Sequence, residues 1–277
     1  MNMITDWKYN FEQTAVPWEM DFKPGMPTTM LWDANDTEER FKKHHAEIGD
    51  GWHYANTPVS YERNKFGHRS KLLSEVDDNF MIAYGCSFTE GIGLAVDEGW
   101  ASQCAKILGM DLLNFGKGGG NAELVFFNTM LFLQNSKKLP KCVIIQWPEI
   151  SRQFYKNLDG NCHPLLLVNH NPSKQGADFF ESQVRHGADK FNASIAFRAT
   201  QLLWKQSGVP VYNWTFGTDY ADELGIPGVD RYIFAEVRDE PRHLYYARDL
   251  QHYGHAFNTQ VAIGVSTYMK INYPHLF

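Results

Sequence analysis

The stretch Ala83-Tyr84-Gly85-Cys86-Ser87-Phe88-Thr89-Glu90-Gly91 decides how the rest of the chain is read. Ahead of its corner, Phe80-Met81-Ile82-Ala83-Tyr84 is an apolar run of the length of a buried strand. Gly85 permits a sharp reversal that a side chain would resist. Ser87 follows on the turn, at the strand's C-terminal end, where open α/β sheets place their sites. A serine at a strand-to-helix corner lies beside backbone N–H groups that have no helical partner and can hold a developing oxyanion. The plainer reading is an ordinary Gly-Ser-Thr turn, and the stretch alone supports both.

Downstream, Asp97 opens a helix in which Trp100, Ala101, Cys104, Ile107 and Leu108 recur at helical spacing, with Gly109 as its stop. Met110-Asp111-Leu112-Leu113-Asn114-Phe115 reads as a second strand, ending in the glycine-rich corner Gly116-Lys117-Gly118-Gly119-Gly120-Asn121. An apolar helix starts at Asn121, and Cys142-Val143-Ile144-Ile145-Gln146-Trp147 is a third, buried strand. Residues 148–187 are irregular and polar, a long insertion at the strand ends. A helix near Asp189–Gln206 leads to a fourth strand, Val209-Pro210-Val211-Tyr212-Asn213-Trp214. Residues 215–248 form another long connection with a short strand at Tyr232-Ile233-Phe234, and a last helix covers about His255–Met269. Strands alternating with helices, with polar or glycine-rich corners, describe a parallel sheet between two helical layers.

Upstream the texture changes. Residues 1–60 hold Trp7, Trp18, Trp32 and Trp52, broken by Pro17, Pro24, Pro27 and Pro58, with one helix from Asn35-Asp36-Thr37 through His45. They read as an aromatic arm that wraps the domain formed by 61–277, meets a protein partner or a second copy, or offers flat rings to a sugar. The 277 residues, 43% hydrophobic and 14% aromatic, can bury a large core, which argues against a disordered chain. A net charge of -6 argues against binding nucleic acid through a basic surface. No apolar run approaches the roughly 20 residues that span a bilayer. The first residues lack the features of a secretory signal, and Cys86, Cys104, Cys142 and Cys162 show no Cys-x-x-Cys spacing. Reduced thiols, and synthesis in a reducing cytoplasm, are the expectation.

Taken in order, three segments resemble the SGNH (GDSL-type) hydrolase family. Gly85-Cys86-Ser87-Phe88-Thr89-Glu90-Gly91 is similar to its first block, whose serine is the nucleophile. Asn114-Phe115-Gly116-Lys117-Gly118-Gly119-Gly120-Asn121 is similar to the second, which puts Gly119 where a backbone N–H enters the oxyanion hole. Asp249-Leu250-Gln251-His252 resembles the last, an Asp-x-x-His pair ahead of the C-terminal helix. Asn64 to Ser70 also resembles a segment that precedes the first block in members with an N-terminal extension. The likeness covers about 64–270. It implies a three-layer αβα sandwich, flavodoxin-like, with a mostly parallel sheet of about five strands.

The chemistry suits these residue types. A serine hydroxyl needs an adjacent base, and an imidazole oriented by a carboxylate is one. Three-residue spacing places Asp249 against His252 Nδ1 if both sit in one helical turn, leaving Nε2 for Ser87. The resemblance thus implies a serine esterase with Ser87, His252 and Asp249 as its triad. The N–H groups of Ser87 and Gly119 would form the oxyanion hole. The family's third block, which supplies an asparagine as third donor, is not matched. Gln146-Trp147-Pro148-Glu149-Ile150-Ser151-Arg152 stands there, leaving Asn121, Gln146 or Arg152 as replacements. No cofactor or metal is implied: Asp249, His252 and His255 lack a third ligand at diagnostic spacing, and the glycine corner lacks P-loop and dinucleotide patterns. Cys86 is expected to point into the core. An O-acetylated carbohydrate is the favoured substrate. The competing class is a non-catalytic SGNH-like subunit, for example of a viral particle.

Overall fold

Six consecutive buried residues, Phe80–Gly85, require a strand covered on both faces. The computed structural model describes residues 28–33, 36–65, 67–150, 152–156, 162–166, 187–215 and 242–277. In chain order these hold β1 (Thr28–Met30), α1 (Glu38–Ile48), α2 (His53–Asn56) and β2 (Tyr61–Arg63), then β3 (Phe80–Gly85) and α3 (Ser87–Glu90). Next come α4 (Trp100–Leu108), β4 (Asp111–Gly116), α5 (Ala122–Asn135) and β5 (Cys142–Trp147). The chain continues with β6 (Arg152–Lys156), β7 (Cys162–Leu166), α6 (Ala188–Gln206) and β8 (Val211–Thr215), and closes with α7 (Arg242–Tyr245) and α8 (His255–Asn272).

The central sheet has the order β4-β3-β5-β8, and each neighbouring pair is parallel. Side chains alternate along each strand. Phe80, Ile82, Tyr84, Val143, Ile145 and Trp147 therefore meet Val125, Phe132, Ala193 and Trp204 of α5 and α6. Met81, Ala83, Cys142, Ile144 and Trp214 meet Trp100, Cys104, Val261 and Met269 of α4 and α8 on the other face. This is the expected three-layer αβα arrangement. The described sheet has four strands where the sequence suggests about five, and Tyr232-Ile233-Phe234 lies outside the described residues. The chain leaves β3 for β4 on one side and returns to β5 on the other. The crevice at the C-terminal ends of β3 and β5 is thus the switch point where such sheets bind ligands.

Several boundaries differ from the sequence reading. Asp97 lies in a 3-10 turn, Val96–Glu98, and Gly99 is the N-cap of α4. Gly109 ends that helix in the left-handed region, as a C-terminal glycine does. The 148–187 insertion is not wholly irregular, because β6 and β7 pair antiparallel within it. The β1–β2 pair, whose strands are three residues each, carries too short a periodicity to be read in advance.

Of the arm's tryptophans, Trp7 and Trp18 lie outside the described residues. Trp52 is buried in a third cluster with Tyr54, Val59, Tyr61, Ile92, Leu94 and Ala247. Val59 and Tyr61, on either side of residue 60, share that cluster with residues of the main domain. Trp32 lies under the Arg248 guanidinium, 4.2 Å from its ring centroid. Among the described residues no helix is long and apolar enough to cross a membrane.

Candidate active site

Ser87 is the first residue of α3, immediately past the end of β3. Gly85 is required there by close approach: a Cβ at this position would lie 2.0 Å from Thr89 Oγ1 and 2.8 Å from Gln146 Oε1. Gln146 braces the corner from below. Its Oε1 accepts from Cys86 N (3.2 Å), Cys86 Sγ (3.2 Å) and Thr89 Oγ1 (3.1 Å), and its Nε2 donates to the Trp147 carbonyl. Arg69 fastens the far side of the same turn, donating to the carbonyls of Gly91, Ser60 and Leu94. These ties carry Ser87 to the sheet's C-terminal edge while Cys86 turns inward, 1% exposed.

The Asp249–His252 segment is a tight turn ahead of α8 and not the helical turn that the spacing suggests. Leu250 adopts a positive φ of 52°, and Ala247 and His252 close the turn from Ala247 N–H to the His252 carbonyl at 2.8 Å. Asp249 Oδ1 accepts the N–H groups of Gln251 and His252, both at 3.0 Å, a local side-chain turn that short polar residues favour. Its Oδ2 lies 2.5 Å from His252 Nδ1. An ionised carboxylate only accepts, so Nδ1 carries the proton and Nε2 is left as an acceptor. Ser87 Oγ is 2.7 Å from that Nε2. Burial raises the Asp249 carboxyl's proton affinity, but the hydrogen bond from His252, the electrostatic attraction between the two groups and the two backbone N–H groups outweigh it. The carboxyl is held below the usual carboxylate range. Asp249 is 1% exposed, whereas Ser87 and His252 keep 8% and 9%, so the reacting pair touches solvent and the orienting group does not.

The glycine corner after β4 can be accounted for amide by amide. Lys117 N–H donates to the Gly85 carbonyl, Gly118 N–H to Glu90 Oε2 at 2.6 Å, and Gly120 N–H to the Lys117 carbonyl. Among the three glycines Gly118–Gly120, Gly119, at φ 73°, is the one whose amide makes no hydrogen bond among the described residues. The Ser87 N–H, at the start of a helix, has no partner either. The amides of Ser87 and Gly119 are thus open, among the described residues, on the elements that carry the nucleophile and the loop beside it.

Asn121 is 1% exposed and caps α5, its Oδ1 accepting from Leu124 N at 3.0 Å. Its Nδ2 is buried with no partner among the described residues. Gln146 does not present a donor to the crevice, because its amide is spent on the corner and on Trp147. Arg152 Nε faces Glu149 at 3.6 Å. Burial pushes the thiols of Cys104 and Cys142 up to about 12, which makes them inert. Among the described residues no group of three metal-ligating side chains could hold an ion.

Two buried ion pairs escaped the sequence reading. Arg248, next to Asp249, donates to both Asp36 carboxylate oxygens (3.0 and 2.6 Å) and to the Leu31 carbonyl. Glu90, three residues past Ser87, pairs with Arg63 at 2.6 Å. Their partners lie 212 and 27 residues away, and no local pattern links them.

No family model matches this chain, and no curated relative does either. Solved structures similar to it include an acetyl xylan esterase from the rumen bacterium Butyrivibrio proteoclasticus, 14% identical at a TM-score of 0.46, with 75% of this chain and 66% of that one covered. This chain therefore spans just under two thirds of that protein's length. Another is described as a lipolytic protein of the G-D-S-L family from Desulfitobacterium hafniense, 14% identical at a TM-score of 0.41, with 68% of this chain and 98% of that one covered. A third is described as an SGNH hydrolase from Slackia heliotrinireducens, 14% identical at 0.37, covering 70% and 100%. The functional reading rests on the site's own geometry.

Proposed function

We propose that this chain is a serine esterase of SGNH type that transfers the acyl group of a carboxylic ester to water. The observation that carries the reading is the line from Asp249 Oδ2 through His252 to Ser87 Oγ, with contacts of 2.5 and 2.7 Å. Ser87 Oγ attacks the ester carbonyl carbon as its proton passes to His252 Nε2. The N–H groups of Ser87 and Gly119, joined by Asn121 Nδ2 as third donor, receive the oxyanion. Collapse breaks the bond to the alcohol oxygen, which leaves with the proton from His252. Water then attacks the acyl-serine, again deprotonated by His252, and the second collapse returns the proton to Ser87 Oγ. Asp249 fixes the imidazole's tautomer throughout and takes no proton. A non-catalytic subunit would have no need of a serine hydroxyl on an imidazole, and the 2.7 Å contact counts against it.

The substrate proposed is an O-acetyl group on a carbohydrate. The half-buried ring of Phe88 stands edge-on to His252 with centroids 4.8 Å apart, and Tyr253 lies 5.6 Å beyond it. Such a ledge suits the apolar face of a sugar. The test is hydrolysis of p-nitrophenyl acetate, then of acetylated xylan, by wild type and Ser87→Ala. Loss of the nucleophile is expected to lower kcat by about 10³-fold or more. Equal rates would remove Ser87 from the reaction.

A further inference from the structure

Glu90 is a charged group in an expensive place, 2% exposed and engaged at both oxygens. Oε1 is 2.6 Å from Arg63 Nη2, and Oε2 accepts the Gly118 N–H at 2.6 Å. The same Arg63 nitrogen also meets Asp33 Oδ2. Arg63 ends β2 and pairs in register with Thr28 of β1, so a chain of charges runs from the N-terminal segment to the glycine corner. Burial raises the Glu90 carboxyl's proton affinity, while Lys117, Arg63 and the Gly118 N–H reverse this and keep it below the usual range. Buried ion pairs add little net stability compared with apolar packing. What this one does is fix a direction. Gly118, Gly119 and Gly120 have no Cβ to limit their peptide orientations, and Gly118 N–H held by Glu90, with Gly120 N–H held by the Lys117 carbonyl, pins both sides of the turn in which the Gly119 amide sits.

We propose that Asp33, Arg63 and Glu90 form a positioning device for the oxyanion loop, so that two side chains from outside the central sheet's layers, Asp33 and Arg63, take part in orienting the acyl-transfer machinery. The inference deepens the esterase reading and rests on it through Gly119. Glu90 clamps Gly118, Arg63 keeps the clamp in place, and Gly119 N–H is left facing the reacting carbonyl. A glutamine at 90 either accepts from Gly118 and turns its NH₂ on the Arg63 guanidinium, or accepts from Arg63 and turns its NH₂ on the Gly118 N–H, and it cannot accept from both as the carboxylate does.

The experiment compares wild type, Glu90→Gln, Arg63→Met, Arg63→Lys and the exposed neighbour Glu62→Gln. It reads p-nitrophenyl acetate kinetics, inhibition by an alkylboronic acid that mimics the tetrahedral adduct, and amide hydrogen exchange. Losing a whole oxyanion donor costs about 10²–10³ in kcat, so a misdirected one in Glu90→Gln should cost about 10–100-fold. KM should move less than about 3-fold on the same argument, since the contact is made in the transition state. Boronate affinity should fall with kcat, and exchange should rise in residues 114–121 while β3 stays protected. Arg63→Met should follow in the same direction, with Arg63→Lys partly restored and Glu62→Gln unchanged. Wild-type kcat and wild-type loop protection in Glu90→Gln would overturn the proposal, as would exchange rising equally in β3. If Glu90→Gln does not fold, the Arg63 pair decides: equal kcat in Met and Lys variants overturns it. If wild type and Ser87→Ala hydrolyse alike, the esterase reading falls, and the exchange data alone judge the clamp.

Discussion

Replacing Asp249 by asparagine separates the two jobs that its carboxylate performs. Oδ1 holds the N–H groups of Gln251 and His252 at 3.0 Å, and Oδ2 holds His252 Nδ1 at 2.5 Å. An asparagine that keeps its oxygen on the backbone N–H groups must turn its NH₂ toward Nδ1. The imidazole then accepts at Nδ1 and carries its proton on Nε2, where it faces Ser87 Oγ and cannot act as a base. The alternative flip restores the useful tautomer but leaves the buried His252 N–H and the part-buried Gln251 N–H against an NH₂. At about 1–3 kcal/mol for each unsatisfied donor, the productive arrangement lies about 2–6 kcal/mol above the idle one. With 1.36 kcal/mol per decade, kcat should fall by about 30-fold to 10⁴-fold. The fold should survive, because the backbone N–H groups keep an acceptor. Asp249→Ala, by contrast, strands both and should lose about 2–6 kcal/mol of stability as well. Steady-state hydrolysis of p-nitrophenyl acetate and urea unfolding of the two variants check this. A folded Asp249→Asn with kcat within about 3-fold of wild type would refute the tautomer argument.

Asn121→Ser keeps a good helix cap and removes the amide nitrogen. It should lose about 10²–10³ in kcat with little change in Tm, and full activity would strike Asn121 from the oxyanion hole. Gly85→Ala places a methyl 2.0 Å from Thr89 Oγ1 and should destabilise by about 1–3 kcal/mol or more in urea melts; a change below about 0.5 kcal/mol, the scatter of neutral surface changes, would mean that the corner relaxes freely. The carboxyls of Asp249 and Glu90 are both held low in the folded state. Their contribution is therefore complete above their unfolded values, about 3.9 and 4.3, and is lost as pH falls through the lower folded ones. Urea melts at pH 7, 5, 4 and 3 should show stability falling over the acid limb. Glu90→Gln should flatten part of that fall, and an unchanged slope would show that Glu90 titrates alike in both states.

Period and punctuation made the sheet legible. Phe80–Tyr84 and Cys142–Trp147 are uninterrupted apolar runs, and strands buried on both faces leave that signature. Gly109 and Asn121 marked a helix end and a helix start for reasons local to each residue. Ser87, Gly119, Asp249 and His252 were reachable through family-like blocks, but the composition of those blocks could not say that Asp249–His252 is a turn with Leu250 at φ 52°. The block singles out Gly119 by its place after the leading asparagine, but not the physical reason that the neighbouring Gly118 amide is taken, which is the Glu90 carboxylate across the corner. Gln146 reads as a donor because it lies one residue before the end of a strand near the site; its amide serves Cys86, Thr89 and Trp147 through contacts up to 60 residues apart. Arg63–Glu90 and Asp36–Arg248 were illegible for the same reason. A charged residue in a sequence does not announce a distant partner, and the exposed reading is the usual one.

The claim on which the account turns is that Ser87 is made nucleophilic by His252. Labelling with a fluorophosphonate, followed by peptide mapping, tests it without knowledge of the natural substrate. The account predicts one adduct, on Ser87, formed quickly by wild type and at least about 10²-fold more slowly by His252→Ala, in line with the contribution of general-base catalysis. An adduct elsewhere, or labelling of Ser87 at the same rate in both proteins, would contradict it.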